Sequence, residues 1–272
     1  MSTMTNRLCA TPLALAAAVL ALSACAPTHP NSPLPPSSAI TSATTTASSS
    51  TSTRSAGAAQ TGSSNGQTYT VTISTNDARV ADPGSWHTET AQLNGGDPAV
   101  TAAFNKASEA STRQQVERAI ADNVGVPNWN LREHPDVKFR PTAIGAVLVG
   151  VYYADHAAHP VNYVSTIVID SRTARPITLN TLFTNESDGL ARLSAQTKLI
   201  FPTKYGNPTN APTADLPGAE PREENFANWV PTATGMEIHF ADYQFGHGLP
   251  VITVPWTTLA DVLAPDMTAL AH

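Results

Sequence analysis

Beyond residue 25 the chain contains no cysteine; Cys9 and Cys25 are the only two among its 272 residues. No disulfide therefore staples the fold, which must rest on an ordinary hydrophobic core. Charge is scarce as well. Asp, Glu, Lys and Arg together make up 13% of the chain, and the formal net charge is −6. That balance argues against a nucleic-acid partner and against a polybasic membrane patch. The common catalytic signatures are missing: there is no G-x-S-x-G elbow, no H-E-x-x-H, no G-x-x-x-x-G-K-S/T and no G-x-G-x-x-G. The sequence assigns no catalytic residue, no metal and no cofactor. Hydrophobic residues at 41% are enough for a core, but 22 prolines and a long polar tract keep part of the chain out of it.

Both cysteines fall near the N-terminus. Arg7 gives a positive start, and Pro12 to Leu22 is an apolar run too short to span a membrane as a mature helix. It reads as the hydrophobic region of a signal peptide covering residues 1–24. Leu22-Ser23-Ala24-Cys25 follows and resembles the lipobox of bacterial lipoproteins. That resemblance implies diacylglycerol on the Cys25 thiol, cleavage before it, and acylation of the new amine, palmitate being the expected kind of chain. Two or three chains satisfy the requirement that stable anchoring needs more than one lipid. The expected location is extracytoplasmic, with the membrane as a partner through the anchor.

Residues 25–67 read as a linker. Ser, Thr, Ala and Pro dominate it, and no apolar period runs through it, so it lacks the burial needed to offset ordering entropy. Some forty flexible residues reach roughly 35 Å. The bias is also of a kind that accepts O-glycans.

The folded domain is expected over residues 68–272. Tyr69, Val71 and Ile73 alternate with threonine and serine as a strand. The segment holding Asp82-Pro83-Gly84 and Asn94-Gly95-Gly96 reads as a loop. From Pro98 a helix carries Val100, Phe104 and Ala107, with a phase slip and a kink near Ser111. Pro127 and Pro135 read as loop. Ala143 to Tyr153 is apolar on both faces, which predicts a central strand covered on both sides. Asp155 to Pro160 turns into a strand at Val161 to Asp170. A helix from about Asp188 to Ile200 is stopped by Pro202. Met236, Ile238 and Phe240 alternate with Glu237 and His239 in a strand, and a second strand runs from Val251 to Val254. Thr258 with Asp261 reads as the capped start of a short helix. The sum is an α+β fold, a mostly antiparallel sheet with two or three packing helices.

The order of Ala158-His159-Pro160 in a turn, Asp170 ending a strand, Pro176-Ile177-Thr178-Leu179-Asn180-Thr181-Leu182-Phe183, Asn225-Phe226, Gly235-Met236 and the Val251 to Trp256 ending is similar to one recurrent extracytoplasmic domain. That domain is found in the outer half of RsiV-type anti-sigma factors, as an accessory domain of peptidoglycan deacetylases and in secreted mycobacterial antigens. The resemblance covers roughly residues 68–265 and implies binding rather than catalysis. In the RsiV type the ligand is lysozyme. Here the loop Tyr243 to Leu249 is shorter and lacks the family's Pro-Tyr-Ala-like segment, so lysozyme is not carried over. With no cytoplasmic segment and no mature transmembrane helix, an anti-sigma factor is not expected.

Four side chains are candidates for ligand contact: Tyr243, Phe245 and His247 on a glycine-flanked loop between two strands, and His159 on the earlier turn. Phe245 has the competing role of plugging the sheet edge. Asp155, His156 and His159 could present two imidazoles and a carboxylate to a metal, but a hairpin turn fixes no geometry and no third histidine is placed. His134 with Asp136, and His239 with Asp242, read as solvated polar positions. Trp229 and Trp256 read as core. The expected function is a lipid-anchored module that binds or senses an extracellular protein or a cell-wall component. The alternatives are a cell-envelope hydrolase, which would need a buried nucleophile or acid/base pair, and a carrier with a large apolar cavity.

Overall fold

A computed structural model describes residues 49–53, 59–79, 84–123, 125–126, 128–206 and 216–272. The signal peptide and Cys25 lie outside the described residues. One sheet is built from β1 (Ser49–Thr53), β2 (Thr61–Ser64), β3 (Gln67–Arg79), β4 (Gly84–Gly95), β5 (Trp129–Phe139), β6 (Ala143–Ala154), β7 (Val161–Asp170) and β8 (Arg175–Pro176). Its order is β1-β3-β4-β5-β6-β7-β8, with β2 also paired to β3. Every pairing is antiparallel except β4 with β5. Parallel neighbours need a crossover, and α1 (Pro98–Asp122) supplies it across one face of the sheet. A second sheet of β9 (Trp229–Pro231), β10 (Gly235–His239) and β11 (Val251–Pro255), in the order β11-β10-β9, packs with α3 (Glu186–Tyr205) in the largest core cluster. The short helices α2 (Leu179–Leu182), α4 (Glu223–Phe226) and α5 (Trp256–Leu259) and a 3-10 turn at Pro265–Ala271 complete that layer. The α+β class expected from the sequence is the one observed.

β6 shows why its residues read as they do. Ile144, Ala146 and Leu148 pack with Val100 and Phe104 of α1, whereas Ala143 and Val147 pack with Val230, Met236 and Ile252 of the second layer. A strand covered on both faces needs apolar residues at every position. Trp229 and Trp256 are core, as expected, and the Trp256 indole N–H donates to the Thr232 carbonyl at 2.9 Å.

α1 is continuous, and the expected kink at Ser111 is absent. Asp97 caps it by accepting from the Ala99 and Val100 amides, with Pro98 following at the first helical position. Its buried stripe is Val100, Phe104, Ser108, Thr112, Gln115 and Ala119, a regular helical spacing whose central members are polar. The phase does not slip; the hydrophobicity does. Those polar groups meet polar groups of the sheet. Thr90 donates to Thr112 at 3.3 Å, Thr112 to Glu133 Oε1 at 3.1 Å, and Gln115 Nε2 to Ser165 at 3.0 Å. The same chemistry hides β4 and β5, whose sequences read as loop. Thr88, Thr90 and Glu133 are buried inward positions of those strands and break the apolar alternation. Pro135 sits inside β5 without penalty. Odd positions of β5 face away from β6, as shown by the Val137 carbonyl, which accepts from Gln60 at 2.8 Å, and pairing with β4 ends at Glu133. The donor that proline lacks would have pointed to an open side.

Three boundaries move. α3 runs through Pro202 to Tyr205, because its last turn is tied down: Lys204 Nζ and Tyr205 Oη both donate to the Val251 carbonyl, at 2.7 and 2.9 Å. α5 starts at Trp256 without a side-chain cap; Thr258 donates back to the Pro255 carbonyl, and Asp261 pairs with Arg192 at 2.8 Å instead. The ordered domain also begins upstream of Thr68. β2 turns into β3 through Asn65 and Gly66, both at positive φ, a tight connection suited to Asn-Gly. Ser64 is buried; its hydroxyl donates to the Arg140 carbonyl at 2.7 Å and lies 2.6 Å from the Ser171 hydroxyl, which can donate to it in turn. A chain beginning at Thr68 is therefore expected to be less stable than one beginning at Ala59, by about 2 kcal/mol for the lost buried hydrogen bonds. Urea unfolding of the two chains measures it; equal midpoints would show that β2 contributes nothing.

Candidate ligand-binding site

The loop joining β10 to β11 folds around one carboxylate. Asp242 Oδ1 accepts from the Gly248 amide at 2.6 Å, the Tyr243 amide at 3.1 Å and His247 Nδ1 at 3.2 Å. Its Oδ2 accepts from the amide and the side chain of Asn162 on β7, at 2.7 and 2.9 Å. Burial alone would raise the Asp242 pKa, but the Gly248 and Asn162 donors and the nearby His247 outweigh it and hold the carboxyl below its ordinary value. Since Asp242 only accepts, His247 carries its proton on Nδ1. Gln244 fastens the other side of the loop, its amide donating to the Gly218 and Asn225 carbonyls at 2.7 and 3.1 Å.

Backbone geometry matches this tethering. Gly246 and Gly248 sit at φ of 126° and 117°, open in practice to glycine alone, and Tyr243 holds φ of 67°. A non-glycine residue in that region is strained, and it persists only where surrounding bonds over-determine it.

The anchoring splits the side chains of the loop in two. Phe245 turns inward: its ring lies 4.2 Å from Phe201 and 4.8 Å, edge-on, from Phe240. It closes the core and is not a contact on offer, which corrects its candidacy. Tyr243 and His247 turn outward, with Tyr243 52% exposed. They do not stand alone. His159, 84 positions earlier on the turn between β6 and β7, places its ring 4.3 Å from His247 and 6.0 Å from Tyr243. The Tyr243 hydroxyl lies 3.2 Å from both His159 nitrogens. His159 Nδ1 also faces the Pro160 carbonyl at 3.1 Å, an acceptor, so Nδ1 donates there and Nε2 accepts from Tyr243. Three of the four candidates thus form one exposed patch of rings with their polar edges fixed.

Other sequence candidates resolve differently. Asp155 and His156 are exposed on the same turn, with His156 at φ of 66°. Among the described residues no group of three or more His, Cys, Asp or Glu side chains is placed to hold a metal ion. His239 and Asp242 are not solvated. His239 meets Glu237 at 3.0 Å in a half-buried pair that Lys138 joins at 2.7 Å. The His239 hydrogen bond foremost, with Lys138 beside it, overcomes burial and takes the Glu237 carboxyl down to about 2. Asp242, which reads from sequence as a solvated position, is the anchor of the candidate site. Its one signal was its place at the mouth of a loop carrying two glycines, where an Asp side chain caps backbone amides.

No family model matches the sequence, and no curated protein matches it. Among solved structures, a DUF3298 family protein from Pseudomonas aeruginosa superposes with a TM-score of 0.51 at 14% identity, over 73% of this chain and 95% of that one. The two share a fold. A second DUF3298 member, from Bacteroides fragilis, aligns over 77% of this chain at 12% identity, with a TM-score of 0.49. At 14% identity the likeness to the Pseudomonas protein speaks for the fold alone.

Proposed function

We propose that this chain is a lipid-anchored extracytoplasmic module that binds or senses a protein or cell-wall ligand through the patch of Tyr243, His247 and His159. The observation that carries the reading is the rigidity beneath an exposed surface. Five hydrogen bonds to Asp242 hold a strained tyrosine outward, where burial would be the ordinary fate of such a ring. Aromatic side chains fixed in this way lose little conformational freedom on binding, which is what makes them effective contacts. The lipobox-like Leu22 to Cys25 supports the anchor, the fold shared with a DUF3298 protein fits an extracytoplasmic domain, and the RsiV-type motif order supports a ligand-binding role. No described helix is long and apolar enough to cross a membrane, so the proposed attachment rests on Cys25.

Co-sedimentation of the soluble domain with purified cell-wall sacculi, and affinity capture from secreted proteins, test the binding reading. Saturable capture competed by excess free domain is expected; none from either source would reject it. The anchor has its own test. Cys25→Ala is expected to move the protein from the membrane fraction to the soluble fraction or to leave it unprocessed. A variant that fractionates and migrates like wild type would rule the lipid out.

A further inference from the structure

The two edges of the large sheet are finished differently. β3 is covered by β1 and β2, but β7 has only the two-residue β8 beyond it, paired at Ile169 and Asp170. The ladder fixes which backbone groups point outward. The Ile177 amide donates to the Val168 carbonyl at 2.8 Å from the outer side, and the Ser171 amide donates to Thr142 on the β6 side. Even-numbered positions of β7 therefore face outward and odd-numbered ones face β6, through a continuous register from Val161 to Asp170. At the ends the outward groups are met: the Asn162 amide by Asp242, the Val168 carbonyl by Ile177. Between them the amides and carbonyls of Val164 and Thr166 have no hydrogen-bond partner among the described residues.

The Thr166 end of this open stretch lines a groove of about 500 Å³. One wall is α1, through Ala107, Ala110 and Ser111; the other is Ala227 to Trp229, whose Trp229 amide reaches the Thr166 hydroxyl at 3.0 Å. The small side chains of Ala107, Ala110 and Ser111 on one wall and of Ala227 on the other leave room for a backbone beside β7. Edges exposed to solvent are usually blunted by proline, lysine, inward charge or a bulge. Residues 161–168 carry none of these. The single charged side chain lining the groove is Glu223, which has no cationic partner among the described residues.

We propose that the outer edge of β7, from Asn162 to Val168, accepts an extended peptide segment of another protein that carries a Lys or Arg side chain facing Glu223. The peptide adds a strand to the sheet, pairing its backbone with Val164 and Thr166 over roughly 20 Å of edge. Unpaired backbone donors and acceptors specify an extended backbone as the occupant, and Glu223 specifies the sign of its charge. The site meets the Tyr243 patch only at Asn162, which Asp242 holds, and it stands whether or not that patch binds a ligand.

Amide hydrogen exchange on the whole mature domain tests it, with an acetylated octapeptide of alternating Thr and Val ending in lysine as the probe. In the free protein the Val164 and Thr166 amides are expected to exchange fast, while Tyr163, Ser165 and Ile167 exchange slowly. Peptide is expected to slow Val164 and Thr166, and the same peptide N-methylated at alternate residues is expected not to. Ala110→Trp, which fills the groove from the α1 wall without entering the core, is expected to weaken binding about tenfold, as losing one or two backbone hydrogen bonds does. Tyr243→Ala is expected to leave it unchanged. The proposal is overturned if both amides are already slow in the free protein, if millimolar peptide leaves them fast, or if the methylated peptide or Ala110→Trp binds equally well. Protection that rises with protein concentration alone would make a second copy the occupant and overturn it too.

Discussion

Asp242→Ala is expected to cost about 3 kcal/mol of stability and to abolish ligand capture together. The carboxylate is the common acceptor for the Asn162 amide and side chain, the Gly248 and Tyr243 amides and His247. Removing it orphans the Asn162 and Gly248 amides, each worth about 1–3 kcal/mol when buried without a partner. The loop relaxes into water and recovers part of that, so the sum is not simply additive. Tyr243 then loses the tether that holds its φ of 67° and relaxes to a commoner conformation. Asp242→Asn keeps an acceptor for Gly248 and is expected to fall between the two. Urea unfolding together with capture on sacculi or secreted protein measures both effects; an Asp242→Ala chain that still captures would show that the tether is not what displays Tyr243.

The second large effect is a pH dependence centred on Glu133. Burial pushes its carboxyl up to about 7, against the opposing Thr112 hydrogen bond and with help from the charge of Glu89. One oxygen meets Thr112; the other, like Gln115 Oε1, has no partner among the described residues. Gly150 pairs with Glu133 across the ladder, and the Gln115 amide oxygen fills the space where a Gly150 side chain would be. A proton on Glu133 turns its unpaired acceptor oxygen into a donor. A folded-state pKa above the unfolded value stabilises fully below the unfolded value, near 4.5, and that contribution is lost as pH rises through about 7. The wild-type domain is therefore expected to lose about 3 kcal/mol between about pH 5 and pH 9 from this group. Glu133→Gln, which presents an amide donor at every pH, is expected to flatten that slope and to be the more stable chain at pH 9. A slope unchanged by the substitution would place the titrating group elsewhere.

What the sequence disclosed divides along the same physical line. β6, β10 and β11 were legible because their buried positions are apolar, and periodicity reads apolar burial directly. β4, β5 and the unbroken course of α1 were not, because Thr88, Thr90, Thr112, Gln115 and Glu133 are buried polar groups bonded across a layer. Nothing in a one-dimensional pattern separates such residues from a solvated face. Pro135 and Pro202 misled for a related reason: proline excludes a donor, and whether that donor would have mattered depends on neighbours far away in sequence. The loop from Tyr243 to Leu249 was readable as exposed and glycine-hinged. Its meeting with His159 was not, since only the pairing of β7 beside the loop, through Asn162 and Asp242, brings the two turns together.

The central claim is that Tyr243 and His247, with His159 beside them, are the contact surface, and that the scaffold beneath keeps four of the five bonds to Asp242 without their side chains. The most direct measurement compares wild type with Tyr243→Ala combined with His247→Ala, reading ligand capture and thermal unfolding on the same preparations. Capture is expected to weaken by more than about 1 kcal/mol, as truncated interface hot spots do. Stability is expected to move by less than roughly 0.5 kcal/mol, because both side chains are exposed. A melting temperature lower by several degrees with capture unchanged would contradict the account and assign the loop to closure of the core.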